Sequence, residues 1–305
     1  MKKVAIVITT FNQEILLGKC LASLKRKTDY KNYKVFLVDD ASKIEIGKKI
    51  KKKFPWIKLI VNKNNLGFAK SYNIGIKTSL KNYNPDYILL LNDDTEIIQK
   101  NWLSNMIKVG EGYENIGILG CRVVYRDGSL QFFAINNKAY FFENKGKKLK
   151  SKEIYSTQKI KKGGIIGACF LIKRKIFKKI GLLDEKFSPF YGEESDYCER
   201  VRKAGFDIGY VGDSEIIHLG AKSTSTIPYD KVWYIKKKNA IRLEWLNHSF
   251  GEIIKYSLIH WASVFFKRNN ISLFKKFFLL FKAYVVNLEN LGEILRKRYE
   301  RNKKL

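Results

Sequence analysis

The apolar run Tyr87–Leu91 ends directly in Asn92, Asp93 and Asp94, which brings two adjacent carboxylates to the end of one segment. Apolar residues without alternation read as a strand buried on both faces, as in the middle of a parallel sheet. Ligands of open α/β sheets sit in the crevice beyond the carboxyl ends of such strands. Paired carboxylates there suit a hard divalent cation and the phosphates it bridges. The local alternative is that Asp93 or Asp94 caps a helix, because Asp-Thr before Glu96 resembles a helix start. Two more strand ends repeat the pattern, with Thr9, Thr10, Phe11 and Asn12 after the first and Asp39, Asp40 and Ser42 after the second. Polar clusters gathered at one sheet edge make a pocket for a polar ligand. A second acidic group, Glu193, Glu194 and Asp196, opens a helical segment. Crowding of three carboxylates raises the pKa of one by like-charge repulsion and suits it to act as a base, whereas the structural alternative is an acidic first turn.

Positioning these groups takes alternating strands and helices. Strand patterns cover 4–10, 34–40, 56–62 and 86–91, and helical spacing covers 14–25, 44–53 and 68–80. Such alternation predicts a Rossmann-like half with a mostly parallel sheet and right-handed crossovers. In the stretch 64–76, Gly67 permits close approach, and Lys70 and Asn73 share a helix face. Extended segments around the turn Arg126-Asp127-Gly128 fill 117–142, and the lysine-rich stretch 143–162 reads as a mobile loop. Residues 1–227 then form a catalytic α/β domain, and 228–305 a helical, basic and aromatic C-terminal extension. Within that extension Phe274, Phe278, Phe281, Val285 and Leu288 fall on one helical face. Packing into a core is the commoner explanation of such a stripe. The alternative is a membrane-interface helix, with Lys267-Arg268, Lys275-Lys276 and Arg296-Lys297-Arg298 as basic flanks.

The excess of 59 Lys and Arg over 29 Asp and Glu, a formal charge of +30, implies an anionic partner: nucleic acid, an anionic membrane surface or a phosphorylated substrate. Cys20, Cys121, Cys169 and Cys198 lie far apart without a C-x-x-C pair and read as free thiols in a reducing compartment. The N-terminal apolar run stops at Asn12-Gln13-Glu14 with no small-residue cleavage site, so it reads as a strand and not as a signal peptide. Charges interrupt every apolar stretch before it reaches spanning length. The expected location is cytoplasmic, with attachment to the inner face of the cell membrane as an option. There is no G-x-G-x-x-G after the first strand and no G-x-x-x-x-G-K-[ST], which argues against dinucleotide oxidoreductases and P-loop NTPases. A nucleotide held through carboxylates and a metal remains.

The ordered set TTFN (9–12), VDDAS (38–42), NNLGFAKSYNIG (64–75), LLLNDDT (89–95), GACFLIKR (167–174), FYGEESDYCERVRKAG (190–205) and IIHLGAKS (216–223) spans about two thirds of the chain. It resembles the family 2 glycosyltransferases, inverting, nucleotide-sugar-dependent enzymes of GT-A fold, close to the rhamnosyltransferase-like group. The resemblance implies transfer of a sugar from a UDP- or dTDP-linked donor to a hydroxyl of a glycan or lipid-linked glycan, assisted by Mg²⁺ or Mn²⁺. It places Asp39 on the nucleobase and Thr10 and Asn12 on the nucleotide. Asp40, Asn65, Gly67, Lys70, Asn73, Asn92 and Asp93 fall among the donor-binding positions. Asp94 becomes the metal ligand of a D-x-D element whose first position is here Asn92, and His218, one of three histidines, stands where a late ligand is expected. Glu194 takes the role of base, with Glu193 in reserve and Asp196 beside them. Arg200 and Arg202 would pair with these carboxylates or contact diphosphate.

Two competing functions follow from the same residues. A nucleotidyltransferase would need a glycine-rich, lysine-containing loop that TTFNQE does not offer. A basic nucleic-acid- or membrane-binding protein on a degenerate transferase fold would use the +30 charge. Acidic clusters at the cleft mouth repel a phosphate backbone, so nucleic acid is not the expected partner. Oligomerisation would fall to the C-terminal helices.

Overall fold

The computed structural model describes residues 1–142, 146–220, 227–266 and 271–303. Ala221–Ser223 of the last motif and the Lys267-Arg268 flank lie outside the described residues. The first half follows the expected alternation: β1 (Val4–Thr10), α1 (Glu14–Lys27), β2 (Tyr33–Asp39), α2 (Ile46–Lys53), β3 (Lys58–Val61), α3 (Phe68–Asn82) and β4 (Tyr87–Leu91). Val4–Ile8 of β1 and Ile88–Leu91 of β4 are fully buried, which is why their sequences do not alternate.

The second half is β5 (Thr95–Ile97), α4 (Trp102–Gly112), β6 (Ile116–Val124), β7 (Leu130–Ile135), β8 (Lys138–Phe141), β9 (Gln158–Lys159), β10 (Cys169–Lys173), α5 (Arg174–Ile180), α6 (Glu193–Lys203) and β11 (Asp207–His218). Among the described residues, eleven strands form one sheet whose main path runs β3-β2-β1-β4-β10-β6-β11-β5. Strands β3, β2, β1 and β4 are mutually parallel, β10 is antiparallel to β4 and β6, and β11 runs parallel to β6. The order reverses between β1 and β4, so the carboxyl ends of these two strands open the crevice in which a ligand of such a sheet binds.

Asp93-Asp94-Thr95 leads into the short strand β5, which pairs with β11, so no helix is capped here. The stretch 143–162 is not wholly a free loop: Ile154 and Ile160 are buried, and Tyr210 donates to the Ile154 carbonyl at 2.6 Å. All four cysteines are buried and unpaired.

Four helices follow: α7 (Tyr229–Asn247), α8 (Phe250–Ala262), α9 (Leu273–Glu289) and α10 (Leu291–Lys303). Ile241, Val264, Leu280 and Ala283 form a small core edged by Trp261 stacked on Tyr284, and Ile294 of α10 packs separately with Leu246 and Phe187. The core reading of the α9 stripe fails. Phe274 is 81% exposed, and Phe278, Phe281 and Leu288 are each more than half exposed, while Lys276, Leu280, Ala283 and Asn287 face inward. No helix among the described residues is long and apolar enough to cross a membrane.

Buried polar contacts tie these helices to the sheet half. Arg242 of α7 meets Asp184 at 3.1 Å, and Arg301 of α10 reaches both Asp184 and Asp196, at 3.1 and 2.7 Å. Burial pushes both carboxyls up, but the cations outweigh it: Arg242 and Lys297 hold Asp184, and Arg200 and Arg301 hold Asp196, below the ordinary carboxylate range. Losing one partner of such a buried set costs about 3–5 kcal/mol, because the opposite charge stays buried.

Candidate active site

A cavity of about 400 Å³ lies over the carboxyl end of β4, and Asn92, Asp94, His218, Glu193 and Glu194 all line it. Residues more than a hundred positions apart in the chain meet because β11 ends beside β5 and α6 starts across the crevice. Phe68, Phe190 and Tyr191 form apolar wall.

On one side stand Asp94 and His218, with Asp94 Oδ1 3.1 Å from His218 Nε2 and Asn92 Nδ2 3.3 Å from the same nitrogen. His218 Nδ1 lies 2.7 Å from Gln131 Oε1, so with that oxygen accepting, Nδ1 carries the ring proton and Nε2 presents a lone pair. In that tautomer the Nε2 lone pair and the Asp94 carboxylate oxygen lie close enough to be bridged by one positive charge, a proton or a bound cation. A divalent cation held there would take one donor from each side chain. Among the described residues no group of three His, Cys, Asp or Glu side chains is positioned for a metal. Two protein donors with a neutral Asn92 beside them therefore suit a cation that completes its shell from phosphate oxygens and water. Gln131 escaped sequence reasoning, because one glutamine in the apolar segment LQFFAI carries no mark of its distant partner; in the fold it is 1% exposed.

Asp93 turns away from His218 and accepts from Thr10 Oγ1 at 2.6 Å, closing the β1–β4 junction. Burial, then the neighbouring Asp94, raises its carboxyl to about 7. Tyr72, also missed, donates to the Leu91 carbonyl at 3.0 Å and approaches Asn92 Oδ1 at 3.3 Å, which braces the turn after β4.

Across the cavity, Gly192 with φ +102° starts α6 and puts Glu193 and Glu194 in its first turn. Burial pushes the Glu194 carboxyl up to about 7. Glu193 is driven well above the ordinary carboxylate range, by burial first and by Glu194 second, and its Oε2 has no hydrogen-bond partner among the described residues. Burial rather than crowding by Asp196 is thus the main cause. Glu194 rests on Gly167, where a Cβ would fall 1.9 Å from Glu194 Oε1. The glycine of the GACF motif is there because the carboxylate occupies the space of a side chain.

Other expected residues lie elsewhere. Asp196 is fully buried and faces away from the cavity, held by Arg200 at 2.9 Å and by Arg301. It is an anchor for the C-terminal helices. Arg200 therefore serves Asp196, and Arg202 pairs with Glu199, so neither meets the Glu193–Glu194 pair. Asp39 accepts from the backbone N–H groups of Ser42 and Gly47 at 3.0 and 2.7 Å. Asp40 accepts from Asn62 Nδ2 and from the N–H groups of Leu66 and Gly67. Both aspartates shape the loops after β2 and β3. Asn12, with φ 57°, links the β1 and β2 ends by accepting from Lys43 N–H, and Asn65 Nδ2 reaches the Asp40 carbonyl at 3.3 Å. The close approach that Gly67 permits is to the Pro189 carbonyl, 3.0 Å from where its Cβ would be. Lys70 and Asn73 do share a face, but it turns away from this cavity. Asn73 is locked between the Leu183 backbone and Glu185.

The sequence model described as glycosyl transferase family 2 matches residues 5–181. The chain is 26% identical over 287 residues to a dTDP-rhamnosyl transferase, RfbF, of Shigella flexneri, covering 90% of this chain and 92% of the relative. It is 24% identical over 247 residues to a GalNAc(5)-diNAcBac-PP-undecaprenol beta-1,3-glucosyltransferase of Campylobacter jejuni, covering 80% of this chain and 71% of that one. Against an uncharacterized protein of Sinorhizobium fredii, 23% identical, 82% of this chain is covered but only 28% of the relative. The chain spans about half, 49%, of a low-salt glycan biosynthesis hexosyltransferase of Haloferax volcanii, to which it is 28% identical over 50% of its own length. Among solved structures, that of GalNAc-T7 with UDP, GalNAc and Mn²⁺ superimposes with a TM-score of 0.62 at 18% identity, over 91% of this chain and 54% of the other.

Proposed function

The chain belongs to glycosyl transferase family 2, with a GT-A fold, and from that premise we propose that it transfers a sugar, with inversion, from a UDP- or dTDP-linked donor to a hydroxyl of a glycan or lipid-linked glycan. The observation that carries this reading is the single cavity shared by Asp94 and His218 on one side and Glu193 and Glu194 on the other. In it, Glu194 takes the proton of the acceptor hydroxyl as that oxygen bonds to the anomeric carbon. The bond from the same carbon to the diphosphate oxygen breaks on the opposite face, so one displacement inverts the centre. Glu194, raised to about 7, is a stronger base than an ordinary carboxylate and is about half ionised at neutral pH. Burial, and then Glu194 itself, push the Glu193 carboxyl well above the ordinary range, which disfavours a second negative charge beside Glu194. Asp94 and His218, with Asn92 beside them, would hold Mg²⁺ or Mn²⁺, which when bound neutralises charge on the departing diphosphate. The nucleoside half of the donor then falls on the carboxyl ends of β1 and β2, near Thr10, Asn12 and Asp39. Phe190 and Tyr191 exclude water from the reacting carbon.

The test is release of nucleoside diphosphate from UDP-, dTDP- and GDP-sugars with Mg²⁺ or Mn²⁺. The expected result is metal-dependent turnover of one donor, abolished by Asp94→Ala and by Glu194→Gln. No turnover and no donor binding by the intact chain overturns the proposal.

The exposed aromatic face supports a second element of the reading, peripheral attachment at the inner face of the cell membrane. Phe250, Phe265, Phe266 and Phe274 are each 68–81% exposed on α8, α9 and the turn between them, with Lys255, Lys275 and Lys282 in the same region. Exposed aromatic side chains on helices that also carry lysine suit the interface of an anionic bilayer, where acceptors on lipid carriers reside.

A further inference from the structure

A second cavity, of about 720 Å³, lies where α7 and α10 close over α3, α6 and the segment Leu182–Ser188, and it shares no lining residue with the active-site cavity. Only Pro189 separates Ser188, which lines the one, from Phe190, which lines the other. Six lysines and two arginines face this second cavity against three carboxylates. The charges do not cancel in place. Asp184 is already shared by Arg242, Lys297 and Arg301, Glu185 accepts from Asn73, and Arg200 and Arg301 are spent on Asp196.

What remains is lysine. Among the described residues, the hydrogen-bond partner of Lys203 Nζ is the Asn247 carbonyl and that of Lys238 Nζ is the Ser188 carbonyl, 2.8 Å away. Among the described residues, neither ammonium has a carboxylate within ion-pair distance, nor do those of Lys70, Lys179 and Lys186. A half-buried ammonium held by a neutral carbonyl has lost water without gaining a counter-charge. Burial, and then repulsion from Arg298 at Lys203 and from Arg242 at Lys238, lowers the pKa of both. Carboxylates farther off, Glu199 and Asp196 for Lys203 and Glu193 for Lys238, offset this only in part.

We propose that this cavity is a second anion site, distinct from the donor cleft, that binds the phosphate or diphosphate group of a phosphate ester on Lys203 and Lys238, with Lys186 at its rim. Lysine is a point-charge partner for phosphate oxygens, and the volume admits a diphosphate with the first residue attached to it. A lipid-linked diphosphate and a free nucleotide carry the same group. Because Lys238 grips Ser188, an occupant here also bears on the segment that leads into Glu193 and Glu194.

Calorimetric titration of the full chain with inorganic pyrophosphate, in EDTA so that no metal recruits it to the cleft, tests the site. Binding should persist in Asp94→Ala, weaken at least about tenfold in Lys203→Met/Lys238→Met, and stay unchanged in the exposed control Lys52→Met/Lys108→Met. Removing two strained ammonium groups should leave Tm unchanged or raise it, so misfolding is separable from loss of the site. Farnesyl diphosphate binding tighter than pyrophosphate assigns the site to a lipid-linked ester, and UDP binding equally well assigns it to free nucleotide. No pyrophosphate binding, equal weakening by both lysine pairs, or loss in Asp94→Ala overturns the proposal. None of these results depends on transfer activity, so failure here and failure of the transferase reading are distinguishable.

Discussion

Replacing Gly167 by alanine should disable the proposed base without disturbing the fold. The new methyl would lie 1.9 Å from Glu194 Oε1, and contacts below 3.0 Å are not sustained, so the carboxylate must retreat by about 1.1 Å. The obstructing atom is the tip of a flexible side chain, and Gly167 does not have the positive φ that would penalise alanine. The stability change should therefore stay within about 1 kcal/mol. Catalysis is less forgiving, since a misplacement of about 1 Å costs on the order of 10²-fold in rate. The expected kcat is about a hundredfold lower, with donor KM within about threefold of the parent because Asp94 and His218 lie across the cavity. Steady-state release of nucleoside diphosphate measures both, with Tm as the control for folding. The double variant Gly167→Ala/Glu194→Gln should be no slower than Glu194→Gln alone, because the methyl acts only through the carboxylate. Near-parental kcat in Gly167→Ala, or a further hundredfold loss in the double variant, would refute the argument that Glu194 at this position is the base.

Two further outcomes follow from the same geometry. A base acts only when ionised, so with Glu194 raised to about 7 the rate kcat/KM should fall tenfold per pH unit below about 7 and level off above it. A flat profile from pH 5.5 to 8 would remove Glu194 from the role. On the C-terminal face, Phe274→Ser/Phe278→Ser deletes two side chains that are 81% and 56% exposed, so stability should hold while binding to phosphatidylglycerol-containing vesicles in a sedimentation assay drops at least about tenfold. Unchanged vesicle binding, or a switch from dimer to monomer on substitution, would mean that the face meets something other than lipid.

The elements that hold the site were legible because burial leaves a mark. Tyr87–Leu91 carries no polar residue since both of its faces are covered, and the break at Asn92 marks the point where the chain emerges from the sheet. The α9 stripe shows the limit of the same logic. Periodicity establishes that Phe274, Phe278 and Phe281 share a face, but not whether protein covers it, and the inward face of that helix is built partly from Lys276 and Asn287. Gln131 was illegible for a related reason: its importance comes entirely from the ring of His218, 87 positions away.

The acidic start of α6 carries the most instructive divergence. Glu193, Glu194 and Asp196 stand within four residues on one helical turn, and nothing local separates a base from a structural anchor. The separation comes from direction and from distant partners. Glu194 points over Gly167 into the cavity with no cation paired to it among the described residues, and burial, offset in part by a backbone hydrogen bond, raises its affinity for a proton. Asp196 points the other way, where Arg200 is joined by Arg301 from 105 positions later, and the pair holds it ionised although it is fully buried. The same turn thus supplies a carboxylate poised to gain a proton and one prevented from doing so. The C-terminal helices that bring Arg301 are in this way part of what distinguishes the two. Exchanging roles between neighbouring acids would take a change in a helix a hundred residues away, which is why spacing alone could group these three residues but not divide them.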